Sequence, residues 1–375
     1  MIRKLTTLLL AGALALATFT ACQSDTDVTS TGAALAAAAA PESVAIANNA
    51  EQADTSIVVS PTATTAAASA SVAEALAENS QPRDEAADTE PADAAAVHIT
   101  LDGDAISADG SGVTVDGSTA AITSAGTYSL SGVLTDGQII VDTQDEAPVR
   151  LILDGVDLRS AASAPLYVAN AESVVIVLAD GAENSVSDAA VYVFADPSTD
   201  EPNAAIFSTA DLAIAGSGSL TVEGNYNDGI ASKDGLVIEG GDITVIAADD
   251  GIRGKDYLVI KDGAITVTAQ GDGLKSDNEE DAAKGYIAVE NGVLDITAGG
   301  DALAAQTDVL ISAGQFALTS GGGSSAWVGE NTSAKGIKGL ASVTIDGGSF
   351  TIDAADDAIH SNGSITVNGG AFVLS

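Results

Sequence analysis

An acidic series runs through the C-terminal half of the chain with a regular spacing. Its aspartates stand two residues before a repeated aliphatic residue, and two of them follow another acid. The series comprises Asp228, Asp250, Asp272, Asp301 and Asp357, with Asp249 and Asp356 beside it. Ca²⁺ prefers oxygen ligands and takes about six to eight of them in irregular geometry. The series predicts a calcium-binding column, unless each aspartate only accepts a backbone N–H within a repeated Asp-Gly turn.

Basic side chains recur one residue after the same aliphatic marker. The series comprises Arg253, Lys275, Lys338 and His360, and Ala231 and Ala304 interrupt it. Lys233 and Lys255 form a shorter row two positions further along. The chain has 53 acidic and only 13 basic residues, so this clustering predicts a strip where Arg and Lys meet the carboxylates of a ligand. The alternative is that these cations neutralise the neighbouring acidic column.

Two insertions carry the remaining candidate residues. Trp327, the single tryptophan, lies in an insertion over 321–335 and could stack on a ligand ring or fill the interior of its loop. The insertion over 276–286 carries the run Asp277, Asn278, Glu279, Glu280 and Asp281. This run is either a solvated acidic loop or a cup for a metal ion.

A sequence repeat positions these side chains. The aliphatic marker occurs at Ile230, Ile252, Leu274, Leu303, Ile337 and Ile359. Three of the five steps between markers are 22 residues long, and the other two, of 29 and 34 residues, contain the insertions. A related unit begins at Ile206. Equivalent residues of successive repeats are therefore expected to stack, about 4.8 Å apart, into columns.

Each repeat contains two short strands in which apolar and other residues alternate, and a third strand starts at the marker. Leu236 and Ile238 illustrate the first strand, and Ile243 and Val245 the second. Glycine pairs such as Gly240-Gly241 separate the strands and permit positive φ. Such strands bury their apolar faces only by stacking coil on coil. We predict an all-β fold, a right-handed parallel β-helix (solenoid) of about 22 residues per coil, with the handedness following from the crossover rule.

The chain divides into four predicted segments. Residues 1–22 have a basic start, a short apolar run and Cys22 at the end, which predicts a lipoprotein signal peptide with lipidation at this single cysteine. Residues 23–96 are rich in Ala, Ser, Thr, Asp and Pro and predict a disordered linker. We assign residues 97–205 to an N-terminal capping region with the first coils, and residues 206–375 to the regular repeats.

The net charge of −40 argues against nucleic acid or an anionic lipid surface as a partner. A protein of this charge also repels an acidic polymer. Binding of such a polymer therefore requires bound cations together with the basic row. We expect a monomer that contacts the membrane only through its lipid.

From Val97 onward the chain resembles the bacterial carbohydrate-binding domain family of parallel β-helices, known from a cellulose- and acidic-sugar-binding surface protein. The resembling stretches begin at Gly126, Leu151, Leu178, Ile230, Asp250, Gly271 and Gly299, and include Gly126-Thr-Tyr-Ser-Leu-Ser-Gly132 and Asp250-Gly-Ile-Arg-Gly-Lys-Asp256. The resemblance implies a fold similar to pectate lyases, bound calcium, and sugar binding without demonstrated cleavage.

Three functional hypotheses follow. The first is a non-catalytic cell-surface module that binds an acidic or plant-type polysaccharide, with calcium as cofactor, at the envelope or outer membrane. The second is an adhesive spacer without a defined ligand. The third is a calcium-dependent uronate lyase, in which the metal acidifies the proton next to the sugar carboxylate and Arg253 or Lys275 acts as the base.

Overall fold

The structure is a computed structural model that describes residues 55–59, 70–82, 96–194, 196, 198–329 and 332–375, with the backbone alone for 55–59. The predicted signal peptide and Cys22 lie outside the described residues. The first two elements are strand β1 (Thr55–Val59) and helix α1 (Val72–Leu76). No helix in these described ranges is long and apolar enough to span a membrane.

The N-terminal part of the body contains two antiparallel hairpins followed by longer parallel strands. Its strands are β2 (Val97–Gly103), β3 (Ala105–Ala108), β4 (Val113–Asp116), β5 (Thr119–Ile122), β6 (Gly126–Leu134), β7 (Gln138–Asp142) and β8 (Val149–Arg159). β2 forms a hairpin with β3, and β4 forms one with β5. β2 also pairs in parallel with β6, which pairs with β8.

Three faces follow, each made of parallel strands from successive coils. Face A contains β10 (Ser173–Leu178), β13 (Asp211–Gly216), β16 (Gly235–Ile238), β19 (Tyr257–Ile260), β22 (Tyr286–Val289), β25 (Asp308–Ile311), β28 (Ser342–Ile345) and β31 (Ser364–Val367). Face B contains β11 (Glu183–Ser187), β14 (Ser219–Gly224), β17 (Asp242–Ala247), β20 (Ala264–Ala269), β23 (Val293–Ala298), β26 (Gln315–Ser320), β29 (Ser349–Ala354) and β32 (Gly370–Leu374). β8 pairs with the first strand of both faces, so A and B belong to one sheet.

Face C is a separate sheet of shorter strands. Continuing from β4, β5 and β7, it contains β9 (Leu166–Asn170), β12 (Ala204–Ser208), β15 (Asp228–Ser232), β18 (Ile252–Gly254), β21 (Leu274–Ser276), β24 (Leu303–Ala305), β27 (Ile337–Gly339) and β30 (Ile359–His360). The predicted all-β, parallel-stranded solenoid is confirmed, and each marker residue lies on face C as predicted.

The interior is a continuous apolar stack. On face B, side chains alternate strictly between buried and exposed along β20 and β23, as expected for strands with one face in the core. Phe316, Phe350 and Phe372 lie in successive coils inside this face, and their ring centroids are 4.6 Å apart in nearly parallel planes. At the corners between faces A and B, Gly241 and Gly263 have φ values of +100° and +124°, which non-glycine residues rarely adopt.

The segment 70–82 belongs to the fold, although it lies in the predicted disordered linker. Ser71 caps helix α1 with a reciprocal Ser–Glu capping box, and Val72 is buried against the outer side of face A. The hydroxyl of Tyr286 donates to the backbone oxygen of Ser80 at 2.6 Å. The outward side chains of face A are apolar rather than polar, so this face offers the helix a partner that sequence composition alone does not reveal. β1 also pairs, antiparallel, with β32.

Candidate functional site

The predicted basic series forms one column on the outer side of face C. The register pairs Ala231 with Arg253, Arg253 with Lys275, Lys275 with Ala304, Ala304 with Lys338, and Lys338 with His360. Strands paired in parallel lie about 4.8 Å apart, so each of these side chains stands directly beside the next coil's equivalent. We call this row the face C column.

Short strands explain why one side chain per coil points outward. In β18, Ile252 is fully buried in the core and Arg253 alone is partly exposed. The third position is Gly254, where a Cβ atom would lie 2.2 Å from the backbone oxygen of Tyr257. Glycine is therefore required by close backbone approach at this corner. The arrangement presents the guanidinium at a defined point of the surface.

The aspartates of the acidic series form a hydrogen-bonded ladder along the edge of face C. Asp250 Oδ1 accepts from the backbone N–H of Asp272 at 2.8 Å, and Asp272 Oδ1 accepts from that of Asp301 at 2.8 Å. Asp228 Oδ1 accepts from the N–H of Asp250 at 3.3 Å, and Asp301 Oδ1 from that of Lys335 at 2.7 Å. These aspartates therefore accept hydrogen bonds from backbone N–H groups, which is the alternative to metal binding that the sequence allowed. The hydrogen bonds join consecutive coils.

The second carboxylate oxygen of each aspartate contacts the face C column. Arg253 Nε lies 3.0 Å from Asp228 Oδ2, and Lys338 Nζ lies 2.8 Å from Asp301 Oδ2. Lys275 Nζ lies 2.9 Å from Asp250 and 3.2 Å from Asp272.

Several of the other predicted acids and bases are also paired. His360 Nδ1 is 2.9 Å from Asp357, and Asp356 pairs with Lys335. Outside the column, Lys233 pairs with Glu201 at 2.8 Å, whereas the equivalent Lys255 lies partly buried near Asp234. The basic column therefore offsets part of the negative charge of the acidic series.

Burial and like charge shape the protonation of the site. Burial, together with the carboxylates of Asp250 and Asp249, raises the pKa of Asp228 to about 7 although Arg253 opposes this. Burial acts against the charged form of Lys275, but Asp250 and Asp272 outweigh it and raise its pKa above the ordinary value. The pKa of Arg253 is raised in the same way, with Asp228 and Asp277 outweighing burial. The side chains of Arg253 and Lys275 are therefore firmly protonated.

One group of three carboxylates among the described residues has the proximity that a metal ion requires. Oxygen atoms of Asp228, Asp249 and Asp250 all lie within 4.8 Å of one another. Asp249 is exposed, while the other two are buried. Hard oxygen donors in such a cluster suit Ca²⁺, which would relieve the repulsion that adds to burial in raising the pKa of Asp228. The structure brings together three of the seven predicted metal ligands, and Asp301 lies apart, bound to Lys338, Ser333 and Lys335.

The structure shows which candidate side chains of the two insertions are exposed and which are buried. Trp327 is 87% exposed, so it does not fill its loop. Asn278 is buried and orders the other insertion, because its Oδ1 accepts from the backbone N–H groups of Glu280 and Asp281. Glu279 and Glu280 point to solvent.

An aromatic cluster at the N-terminal end of face C was not predicted. The outward column continues from Ala231 to Phe207 and Tyr167, whose rings lie 5.9 Å apart. Tyr192, from the connection between β11 and β12, packs beside them. Its ring stacks on that of Tyr226, with ring centroids 4.2 Å apart. The aromatic residues are far apart in the sequence, and only the register of β9 and β12 would have indicated their proximity.

These features define the class as a parallel β-solenoid with a ladder of paired charges on one face. The chain belongs to the family of carbohydrate-binding domain-containing proteins, whose model matches residues 116–375.

Two similar proteins support this assignment. A carbohydrate-binding domain-containing protein of Acetivibrio thermocellus is 48% identical over 126 residues, which cover 34% of this chain and 44% of that protein. A solved structure described as a polysaccharide lyase-like protein from C. thermocellum, in a gadolinium derivative, is 33% identical and has a TM-score of 0.59. The match covers 72% of this chain and 96% of that one.

Proposed function

We propose that this protein binds polysaccharide along face C without cleaving it, and that Ca²⁺ bound at Asp228, Asp249 and Asp250 assists. The face C column is the observation that carries this proposal. It aligns polar, hydrogen-bonding side chains in register along the solenoid, and a linear polymer can run in the same direction. Membership of a carbohydrate-binding family supplies the ligand class.

Calcium would make the site suitable for acidic sugars. Arg253, Lys275 and Lys338 each already contact at least one carboxylate of the protein, so they have little charge to offer a sugar carboxylate. A cation at the three-aspartate cluster would supply the missing positive charge. It could bridge a carboxylate of the protein and a carboxylate of the sugar. We therefore propose that binding of acidic polysaccharide depends on calcium.

A lyase activity is the second candidate, because the similar solved protein is described as polysaccharide lyase-like. Such a reaction needs a base that is deprotonated at working pH. The acidic partners of Arg253 and Lys275 raise the pKa of both side chains, which opposes this role. The acidic partners of these two side chains therefore favour binding of a polysaccharide over its cleavage.

We also propose that the body is displayed at the cell envelope through a lipid on Cys22, as the N-terminal sequence pattern indicates. The right-handed coil and its repeat of about 22 residues remain part of this proposal.

Calorimetric titration of the full chain with polygalacturonate, with calcium and then with chelator, tests the proposal. Ultraviolet absorbance of the same mixtures reports unsaturated products of cleavage. We expect heat only with calcium and no rise in absorbance. Rising absorbance would establish a lyase. Absence of heat in both buffers, with neutral glycans also inactive, would favour an adhesive spacer.

A further inference from the structure

The face C column has a gap at Ala304, and a cavity opens there. The cavity measures about 180 Å³ and lies between Lys275 and Lys338. Its lining comprises Asp272, Lys275, Ser276, Asp277, Ala304, Ala305, Gln306, Lys338 and Leu340. The two lysines stand two coils apart, a separation of about 10 Å along the column.

The other alanine in the column has different surroundings. Ala231 is fully buried and packs with Phe207 and Tyr167, so aromatic rings occupy the space beside it. Ala304 has cationic neighbours on both sides instead. The small side chain at 304 therefore leaves room for a group from outside the chain.

Hydrogen-bond donors remain on both walls. An ammonium group has three N–H donors. The contacts of Lys275 Nζ go to Asp250 and Asp272, and those of Lys338 Nζ go to Asp301 and Ser333. With respect to the described residues, each lysine thus keeps one N–H that a ligand can use.

An acceptor also remains. Asp277 Oδ1 is buried from solvent and accepts no hydrogen bond from any described residue, whereas Oδ2 lies 3.4 Å from Arg253. Because Oδ1 is inaccessible and the Asp277 side chain is 33% exposed, a ligand hydroxyl reaches this carboxylate at Oδ2, which can accept a second hydrogen bond beside Arg253.

The charges of the lining select the ligand. Two lysines face two aspartates, so the walls have no net charge, and the lysines' other partners, Asp250 and Asp301, are buried just behind. A sugar carboxylate would gain little here and would meet Asp277. A hydroxyl group can accept from lysine and donate to aspartate at the same time. The methyl group of Ala304 provides an apolar floor for the C–H face of a ring.

We propose that this cavity is a subsite for one uncharged pyranose ring, bound through its hydroxyls by Lys275, Lys338 and Asp277 without calcium. This inference rests on the proposed function. It adds a neutral-sugar subsite that lies apart from the three-aspartate cluster.

Titration calorimetry of the full chain with cellohexaose in chelator, and with polygalacturonate in calcium, tests the subsite. Ala304→Met fills the cavity without adding charge, and the backbone tolerates a long side chain there because Lys275 and Lys338 occupy the equivalent positions. Ala317→Met is the matched control, since Ala317 is exposed on face B of the same coil. Asp277→Asn serves as a second variant that keeps the volume of the side chain.

We expect the affinity of Ala304→Met for cellohexaose to fall at least tenfold and that of Asp277→Asn to fall several-fold. Ala317→Met should bind like wild type, and binding of polygalacturonate should persist in Ala304→Met. Unchanged cellohexaose binding in both cavity variants would overturn the subsite. So would a wild-type protein that binds only polygalacturonate, which would leave the proposed function intact. If wild type binds neither sugar in either buffer, the proposed function itself fails.

Discussion

At the scale of single residues, the site consists of cations that are each held by aspartates of the same chain. Each column cation contacts an aspartate whose other oxygen accepts a backbone N–H from the next coil. A carboxylate with both oxygens used in this way joins adjacent coils as well as neutralising its neighbour. The stability of the solenoid and the chemistry of its surface therefore depend on the same side chains.

Removal of one partner from a buried pair should be costly. Arg253→Met leaves Asp228, whose side chain is 2% exposed, without its guanidinium. We expect the free energy of unfolding at pH 8 to fall by about 3 kcal/mol, as is typical when a buried ion pair is broken. Urea denaturation measures this. The double variant Arg253→Met/Asp228→Asn should recover most of the loss, and a double variant as unstable as the single one would contradict the pairing.

Asp188 should make the stability depend on pH. Burial raises the pKa of Asp188, although hydrogen bonds from Tyr192 and Asn225 act in the opposite direction. A raised pKa in the folded state means that the stabilising contribution is complete below the unfolded value of about 3.9 and is lost as pH rises through the folded pKa. We expect the stability of wild type relative to Asp188→Asn to decline as pH rises above about 4. Urea denaturation at a series of pH values checks this, and a difference that grows with pH would contradict it.

At the scale of elements, each face of the coil has a distinct outer surface. Face C carries the charged column, face B presents polar side chains such as Thr266 and Asp295 to solvent, and the outer side of face A is apolar and buried. Val237 and Val259 of face A are each only 2% exposed, although both point away from the core. An apolar outer face requires a cover, which explains why residues 70–82 pack on it.

Helix α1 should detach when its apolar contact is removed. Val72 is 4% exposed and packs with Leu310 in the outer cluster of face A. We expect Val72→Asp to increase amide hydrogen exchange over residues 70–82 at least tenfold while exchange in the body stays unchanged, because a buried unpaired charge disfavours docking. Mass spectrometry of exchange measures this. Glu78→Ala, at an exposed position of the same segment, is the control and should behave like wild type.

At the scale of the whole molecule, the net charge of −40 makes cations the natural ligands of the surface. The three-aspartate cluster is the group of carboxylates among the described residues whose oxygens lie close enough together to hold one ion. A cation that binds only the folded state stabilises it by mass action.

Calcium should therefore raise the stability of the chain. At a concentration one hundred times its Kd, one bound ion adds about 2.7 kcal/mol to the free energy of unfolding. Asp249→Asn should abolish most of this gain, because it removes the exposed ligand of the cluster. Asp242→Asn, at an exposed position of the same coil, is the control. Thermal unfolding with calcium and with chelator measures the effect, and equal gains in both variants would place the ion elsewhere.

Much of the architecture could be predicted from the sequence. The alternation along strands such as Ile265 and Val267, the glycine corners and the recurring markers are local signals, and each depends only on backbone geometry. They were sufficient to predict three faces, the parallel stacking and the alignment of Arg253 with Lys275. Strand stacking in register turns a sequence spacing into a spatial column, so columns follow from the repeat alone.

Tertiary structure decided what the columns do. Side chains such as Lys275 reach backward to Asp250 in the preceding coil, and no local pattern states whether a cation will turn to a neighbouring acid or to solvent. The aromatic cluster at Tyr192 and the docking of α1 depend on contacts between residues far apart in the chain. The cavity at Ala304 likewise depends on the side chains above and below it. The repeat determined where residues stand, and three-dimensional packing decided which of them remain available to a ligand.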